Sequence, residues 1–336
     1  MSRVDESRFE DESFLLSSDS TNQPLQDPPS EQNSYTRLAV WLAIATVLST
    51  FWAGVGAWVP TIPFQEAMLF ETFRPVRQAI LANWLDGLQF SLGLMAILVA
   101  HEFGHYLLTL YYKVPSTPPL FIPFPFLSPI GTMGAVIMMQ SGTANRRQIF
   151  DIGIAGPLAG LVVAIPIMIW GILDDSKIHY APENSLVMGQ PLLIQWLGSW
   201  LDPENAGAFV SVTNGNANPL LMAGWVGLLV TGLNMVPLGQ LDGGHVAFGL
   251  LGQKSYWVAL AALAGAIGYM LYSQVWIFSL MLVLVMLMGL RHPPSSDDSK
   301  ELGIGRKLIG WASLSLPILC IPANPIDMLP NSSMGM

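Results

Sequence analysis

The chain has 336 residues, of which 52% are hydrophobic and only 11% are charged. Because a typical soluble domain has about a quarter of charged residues, this composition excludes an ordinary soluble enzyme and indicates a polytopic membrane protein. The net charge of -9 gives a nucleic-acid partner no electrostatic attraction, and the single cysteine, Cys320, excludes an intramolecular disulfide.

The N-terminal residues 1–37 are polar and rich in acidic residues, Ser, Gln and Pro, a composition typical of a disordered tail. Peptides that target proteins to organelles avoid acidic residues, so this tail does not resemble one. We therefore expect the protein in the plasma (inner) membrane of a bacterial cell.

Seven apolar stretches follow that are long enough, or nearly so, to cross about 30 Å of hydrocarbon. They lie at residues 38–59, 88–112, 152–173, 219–247, 255–273, 275–290 and 308–323. The sequence thus predicts an all-α polytopic membrane protein with about seven transmembrane helices. We divide it into an acidic cytoplasmic tail (1–37), a first transmembrane helix with an outside loop (38–87), a core (88–250), and C-terminal transmembrane helices with a tail (251–336).

Lysine and arginine residues indicate the orientation of these stretches. If the N-terminus is cytoplasmic, eleven of them fall in inside segments and three in outside segments. This distribution follows the positive-inside tendency, so we expect a cytoplasmic N-terminus. The outside segment 174–218 is acidic, and its apolar part at 187–201 is suited to lie on the membrane surface.

The second apolar stretch contains an H-E-x-x-H motif formed by His101, Glu102 and His105. Residues four apart on a helix lie on one face, so both imidazoles can bind one zinc ion while Glu102 acts as the general base. A shuffled chain of this composition would contain the motif about 0.002 times. Ionisable groups in a span are costly and usually functional, which favours a metal site over two histidines hydrogen-bonded between helices.

A catalytic zinc site needs a third protein ligand and an open position. The sequence offers four candidates for that ligand: His179, Asp242, His245 and His292. Asp242 is favoured because an aspartate in an apolar span needs a partner, and Pro237 and nearby glycines open the helix there. A helix-end aspartate at the membrane interface is the alternative, and His245 remains a candidate for supporting a ligand.

The sequences HEFGH at 101–105 and NMVPLGQLDGG at 234–244 together resemble the motifs of the site-2 protease family (peptidase family M50). Members of that family are intramembrane zinc metalloproteases that cut other transmembrane segments. The resemblance implies a three-helix catalytic core with one zinc ion per chain, and it implies that Asn234 contacts the substrate backbone or the oxyanion. It assigns four further positions: His101, His105 and Asp242 as zinc ligands, and Glu102 as the catalytic base.

Two further stretches fit the same family. Gly131 and Gly134 resemble a glycine-containing segment after the first core helix and are predicted to bind substrate, and residues 150–157 resemble the start of the middle core helix. The matches extend over residues 92–247. The likeness is greatest to bacterial and plastid-type members without a PDZ or CBS domain.

Residues 113–142 join the second and third apolar stretches. Their first part is too rich in proline for a helix. Residues 131–142 are predicted to form either an extended edge that pairs with an unwound substrate or a plain loop that dips into the membrane.

These observations predict a zinc-dependent endopeptidase that cuts membrane-anchored proteins near the cytoplasmic face. In the expected orientation the second and fourth stretches both run inward, so their two motifs reach the same side of the membrane. A transporter or ion channel lined by the same polar residues is one alternative. A non-catalytic membrane scaffold is another, although the intact Glu102 argues against it. The expected partners are transmembrane substrates and the lipid bilayer.

Overall fold

The structure is a computed structural model that describes residues 29–174, 186–204, 218–324 and 326–328. Within these residues it contains eleven α-helices and two small two-stranded sheets. His179, considered above as a metal ligand, lies outside the described residues, as do the first 28 residues of the predicted tail.

The first three helices are α1 (Pro29–Val55), α2 (Ile62–Leu69) and α3 (Arg74–Tyr112). Helix α1 begins within the segment predicted to be a disordered tail, so the last part of that segment is helical. Helix α3 begins well before residue 88 and changes direction at Asn83, whose φ of -120° is not helical. It ends at Lys113, which adopts a left-handed conformation.

Helix α4 (Arg146–Leu173) lies at the centre of the fold. It packs against α3 and against three helices that come later in the chain. It begins at a capping box, in which the side chains of Asn145 and Gln148 each bond to the backbone of the other residue. It contains the predicted span at 152–173, ends at the same residue and begins six residues earlier.

The predicted span at 219–247 is not one helix. After α5 (Leu192–Leu201), the chain forms α6 (Pro219–Asn234) and then α7 (Asp242–Leu251), with a non-helical turn between them. Proline at 237 lacks the N–H that a helix needs, and Gly239 adopts a φ of +49° that favours glycine. Both α6 and α7 pack against α4.

The C-terminal part contains α8 (Ser255–Ser273), α9 (Ser279–Met288), α10 (Ile304–Ser313) and α11 (Leu316–Cys320). Helix α8 agrees with the predicted span at 255–273. The sixth and seventh predicted spans correspond instead to short helices, since α9 and α10 have ten residues each and α11 has five. Ten helical residues extend about 15 Å, which is half the hydrocarbon thickness.

Four helical stretches of the described chain are long and apolar enough to cross a membrane: Ser34–Val55, Arg74–Tyr112, Arg146–Leu173 and Asp242–Ser273. The shorter helices α5, α6 and α9 are also apolar. The fold is therefore that of a polytopic helical membrane protein, and the seven spans predicted from hydropathy are not confirmed.

Small residues allow the long helices to approach closely. A side chain at Gly104 of α3 would lie 2.6 Å from the Ala155 carbonyl of α4, and one at Gly224 of α6 would lie 2.8 Å from Met168. Such contacts are typical of helix packing in membranes. The outward faces expose large apolar side chains such as Val162 and Trp170, as expected for surfaces in contact with lipid.

An antiparallel hairpin of β1 (Leu120–Pro123) and β2 (Thr132–Val136) connects α3 to α4. An isolated bridge between Ser116 and Met139 extends the pairing beyond the strands. The segment predicted to be extended is thus largely extended. A second pair, β3 (Leu186–Met188) with β4 (Ile326–Met328), lies elsewhere in the fold.

Candidate metal centre

The two histidines of the H-E-x-x-H motif lie on one face of α3, with ring centroids 5.0 Å apart. Both histidines and Glu102 between them are buried. The helical spacing therefore directs two imidazoles to one point, as the motif predicts.

Asp242 reaches the same point from another helix. It is the first residue of α7, and its carboxylate oxygens lie 3.1 Å from Nε2 of His101 and 3.3 Å from Nε2 of His105. Two ligands of a tetrahedral ion with bonds of about 2.0 Å are themselves about 3.3 Å apart. The carboxylate therefore lies at the separation from each imidazole that shared binding of one zinc ion requires, and one ligand atom from each of the three side chains lies within 4.8 Å of the others.

Helix α4 contacts both imidazoles and holds them in place. The Nδ1–H of His105 donates to the Ile152 carbonyl at 2.7 Å, which leaves Nε2 unprotonated and free to bind a metal. A side chain at Gly156 would lie 2.0 Å from His105 Nε2, and one at Gly160 would lie 3.2 Å from His101 Nδ1. Two glycines four residues apart thus leave the space that the two imidazoles occupy.

The site opens into a cavity of about 600 Å³ that Glu102 also lines. Residues 135–142 of the hairpin region form one wall, and the turn that precedes α7 and residues 292–294 form others. The donor set of two imidazoles and one carboxylate suits zinc, and the cavity leaves room for water and a substrate at the open position.

The other predicted site residues lie at different places. The Asn234 amide nitrogen is 3.4 Å from His101 Nε2, and Asn234 lines the cavity. Gly131 and Gly134 do not line it. Gly131 packs instead against α1, where a side chain would lie 2.5 Å from the Ser49 carbonyl, and residues 135–142 line the cavity in their place.

His245 and His292, the other candidates for the third ligand, pair with each other instead of joining the cluster. The Ile152 carbonyl and Gly156 also contribute to the site, and the sequence alone does not predict these contributions. The two glycines one turn apart on α4 were a visible signal, but only the fold shows that they face the histidines.

Two histidines and an aspartate around one point, with a glutamate beside them, define a candidate metal centre in a helical membrane fold. The family model of peptidase family M50 matches residues 89–273, and the chain belongs to that family. The matched region contains α4 to α8 and most of α3, together with every residue of the metal cluster.

Similar proteins carry related names. The chain is 29% identical to "Probable zinc metalloprotease EGY1, chloroplastic" of Arabidopsis thaliana over 84% of this chain and 52% of the relative. It is 31% identical to the protein of that name from Oryza sativa subsp. japonica, over 65% of this chain and 38% of the relative. For "Probable zinc metalloprotease EGY2, chloroplastic" of Arabidopsis thaliana the identity is 29%, over 70% of this chain and 42% of the relative. The chain thus spans about half, or less, of the length of these relatives.

Proposed function

We propose that the protein is a zinc-dependent endopeptidase that cuts membrane-anchored protein substrates within the membrane. One observation carries this proposal: His101, His105 and Asp242 converge on one point beside the cavity that Glu102 lines. The membership of peptidase family M50 and the names of the relatives support it.

Each residue has a distinct part in the proposed reaction. Zinc, when bound, supplies a Lewis acid that polarises the scissile carbonyl. Glu102 takes a proton from the attacking water and returns it to the leaving amine. Asn234 offers an amide N–H beside the metal ligands, where the carbonyl oxygen gains negative charge. The hydrogen bond to the Ile152 carbonyl holds the His105 ring in place.

Zinc content tests the metal site without a substrate. We expect about one zinc per chain in the purified, detergent-solubilised protein and a clear loss in Asp242→Ala. Glu102→Gln serves as the matched control, because it removes the base but none of the three ligands and should keep its zinc.

Cleavage separates the proposal from its alternatives. A single-span membrane protein with a tag at each end is the probe, and Glu102→Gln should cut it at least a hundredfold more slowly than the unaltered chain. A folded protein without zinc would contradict the proposal and favour an ion pathway. Cleavage that Glu102→Gln leaves unchanged would assign the activity to another group, and bound zinc without cleavage would favour a scaffold.

We further propose that the substrate binds as an extended strand along residues 135–140. The Met138 carbonyl and the Gln140 N–H both form hydrogen bonds with residues 115–117, which lie on one side of this segment. Backbone groups of successive residues in an antiparallel ladder point to opposite sides, so those of Ile137 and Met139 point away from that partner. They offer hydrogen bonds to a second strand at the cavity wall.

A photo-crosslinking scan over residues 133–139 tests strand addition. The tagged single-span protein is the substrate, and the chain carries Glu102→Gln so that the substrate is not cut. Crosslinks at cavity-lining positions support a bound strand. An absence of crosslinks along the whole segment, in a protein that still crosslinks near Asn234, would favour a plain loop.

The membrane and the orientation belong to the same proposal. The relatives are named chloroplastic, which favours a plastid membrane over the bacterial plasma membrane expected from the tail. We retain the N-terminus on the cytoplasmic or equivalent face, because Lys113 and Arg146 then flank the metal centre on that same face. Cysteines introduced singly at these two positions, with Cys320 replaced, should react with a reagent added from that face.

A further inference from the structure

Two histidines that are not among the proposed metal ligands face the same cavity as a hydrogen-bonded pair. His245 lies on α7 about one turn beyond Asp242, and His292 lies in the segment after α9. The Nδ1 atom of His245 is 2.7 Å from Nε2 of His292. Neither imidazole ring has a role in the reaction proposed above.

The hydrogen bonds of this pair determine which nitrogen of each ring carries a proton. Nδ1 of His292 lies 2.6 Å from the Pro293 carbonyl, and since a carbonyl only accepts, this nitrogen is protonated. In a neutral ring Nε2 of His292 is then an acceptor, so Nδ1 of His245 donates to it. Nε2 of His245 therefore keeps its lone pair.

The surroundings of His292 keep its ring neutral and in place. The ring stacks on Phe248 with centroids 4.1 Å apart and planes inclined by 6°. Burial lowers the pKa of His292 below its usual value, so the ring is not protonated near neutral pH.

The segment that carries His292 is attached to the wall of the cavity. The Gly142 N–H donates to the Pro294 carbonyl, and the Ser296 N–H donates to the Ala144 carbonyl. Residue 292 lies beyond residues 89–273, which match the family model. A part of the chain outside the matched region therefore contributes to the site.

We propose that His292 is a positioning residue that holds His245 in the Nδ1-protonated tautomer, so that Nε2 of His245 accepts a hydrogen bond from a backbone N–H of the extended substrate. This inference rests on the proposed peptidase function. An extended peptide presents N–H and C=O groups that both need partners. Asn234 supplies a donor in this cavity and Glu102 is engaged with water, while Nε2 of His245 is a neutral acceptor that lines the same cavity and can serve a substrate N–H.

The tautomer is measured directly, without a substrate. Because the chain has only five histidines, selective ¹⁵N labelling of histidine in the full, zinc-loaded protein gives few resonances, and loss of one in His245→Phe assigns it. We expect His245 to be protonated at Nδ1 in the unaltered chain and in His292→Gln, whose amide oxygen also accepts. In His292→Phe, which keeps the stacking on Phe248, we expect a shift to the Nε2-protonated form.

Substrate affinity is measured separately, in chains that also carry Glu102→Gln and so do not cut. The probe is a fluorescently labelled single-span peptide. We expect His292→Phe to weaken its binding about three- to tenfold, as the loss of one hydrogen bond does, while His292→Gln binds like the parent. His245→Phe should weaken binding equally, and the double variant no further. Zinc content near one per chain in every variant would show that the metal centre is intact.

The outcomes separate this inference from the proposed function. His245 protonated at Nε2 in the unaltered chain, or equal peptide binding by His292→Phe and its parent, would overturn the inference whether or not the protein cuts. An unaltered chain that fails to cut, but whose peptide binding depends on His292 as described, would overturn the peptidase proposal and leave the pairing supported.

Discussion

Gly156 of α4 leaves the space that the imidazole of His105 fills. A methyl group there would lie 2.0 Å from His105 Nε2, far inside van der Waals contact, so Gly156→Ala must displace the ring. Because three ligands must meet within a few tenths of an ångström, we expect zinc affinity to fall at least tenfold. Competition with a zinc-selective fluorescent chelator measures this loss.

Gly265→Ala is the matched control for that substitution. Gly265 also lies within a helix, α8, but nothing surrounds the position where a side chain would be added. We expect unchanged zinc affinity and up to about 1 kcal/mol of added helix stability. Equal zinc affinity in both variants would mean that α4 does not constrain His105.

The sequence predicts the role of some site residues but not of others. The spacing of His101 and His105 on one helix fixes their common direction, and the cost of a lone aspartate in an apolar segment indicates Asp242. These local arguments anticipated the cluster that the structure brings together. The contacts of Gly156 and His292 were not predictable, because they depend on how separate helices and loops pack.

At the scale of elements, the edge formed by residues 135–140 allows a prediction from proline. The Gln140 N–H donates to the Pro115 carbonyl of the neighbouring segment in the same protein. The Met139 N–H points away from that segment. Proline is tolerated at an edge where the N–H has no partner in the sheet. We therefore expect Met139→Pro to fold but to bind the single-span peptide about three- to tenfold more weakly, because one hydrogen bond is lost.

Gln140→Pro is the comparison, since it breaks a bond within the protein. It should lower the stability of the hairpin, detected as faster hydrogen exchange over residues 115–123. If Met139→Pro binds the peptide as tightly as the unaltered chain does, the substrate does not use this edge.

Helix α10 is attached to the core by a two-point ion pair. The Arg306 guanidinium donates to both carboxylate oxygens of Asp151 on α4, at 2.7 and 2.9 Å, and Tyr112 donates to the same carboxylate. The hydrogen bonds to Asp151 raise the pKa of Arg306 further above its usual value, so the guanidinium stays charged over the physiological pH range. We expect Arg306→Gln to lower the free energy of opening α10 by about 1–3 kcal/mol.

Hydrogen exchange of α10 measures that change, with Lys307→Gln as the control. Lys307 is 4.0 Å from Glu301, and both side chains are largely exposed, so this ion pair contributes little. Similar exchange rates in the two variants would show that the Asp151 contact does not hold α10.

Hydropathy predicts which elements are apolar better than it predicts where they end. It identified the segments of α1, α3, α4 and α8, but it joined α6 to α7 across the turn at Gly239. That turn depends on a close approach, since a side chain at Gly239 would lie 2.4 Å from the Gly289 carbonyl. Hydropathy also joined residues 308–323 into one span, although α10 ends at Ser313 and α11 has only five residues.

At the scale of the whole molecule, the metal ligands join parts of the chain that are distant in sequence. His101 and His105 belong to α3, and Asp242 belongs to α7, while α4 packs against both helices. A metal that binds all three side chains therefore binds the folded state far better than the unfolded chain. The stability of the entire fold should depend on that metal.

Chelation should accordingly lower the unfolding temperature of the full protein. At a free zinc concentration about a thousandfold above Kd, binding adds about 4 kcal/mol, which corresponds to a shift of several degrees. The chain should stay folded without zinc, because the Asp242 carboxylate can then accept a hydrogen bond from Nε2–H of His101. Thermal unfolding in detergent, with and without a chelator, measures the shift. Glu102→Gln should keep it and Asp242→Asn should lose most of it, whereas an equal shift in both variants would place the zinc elsewhere.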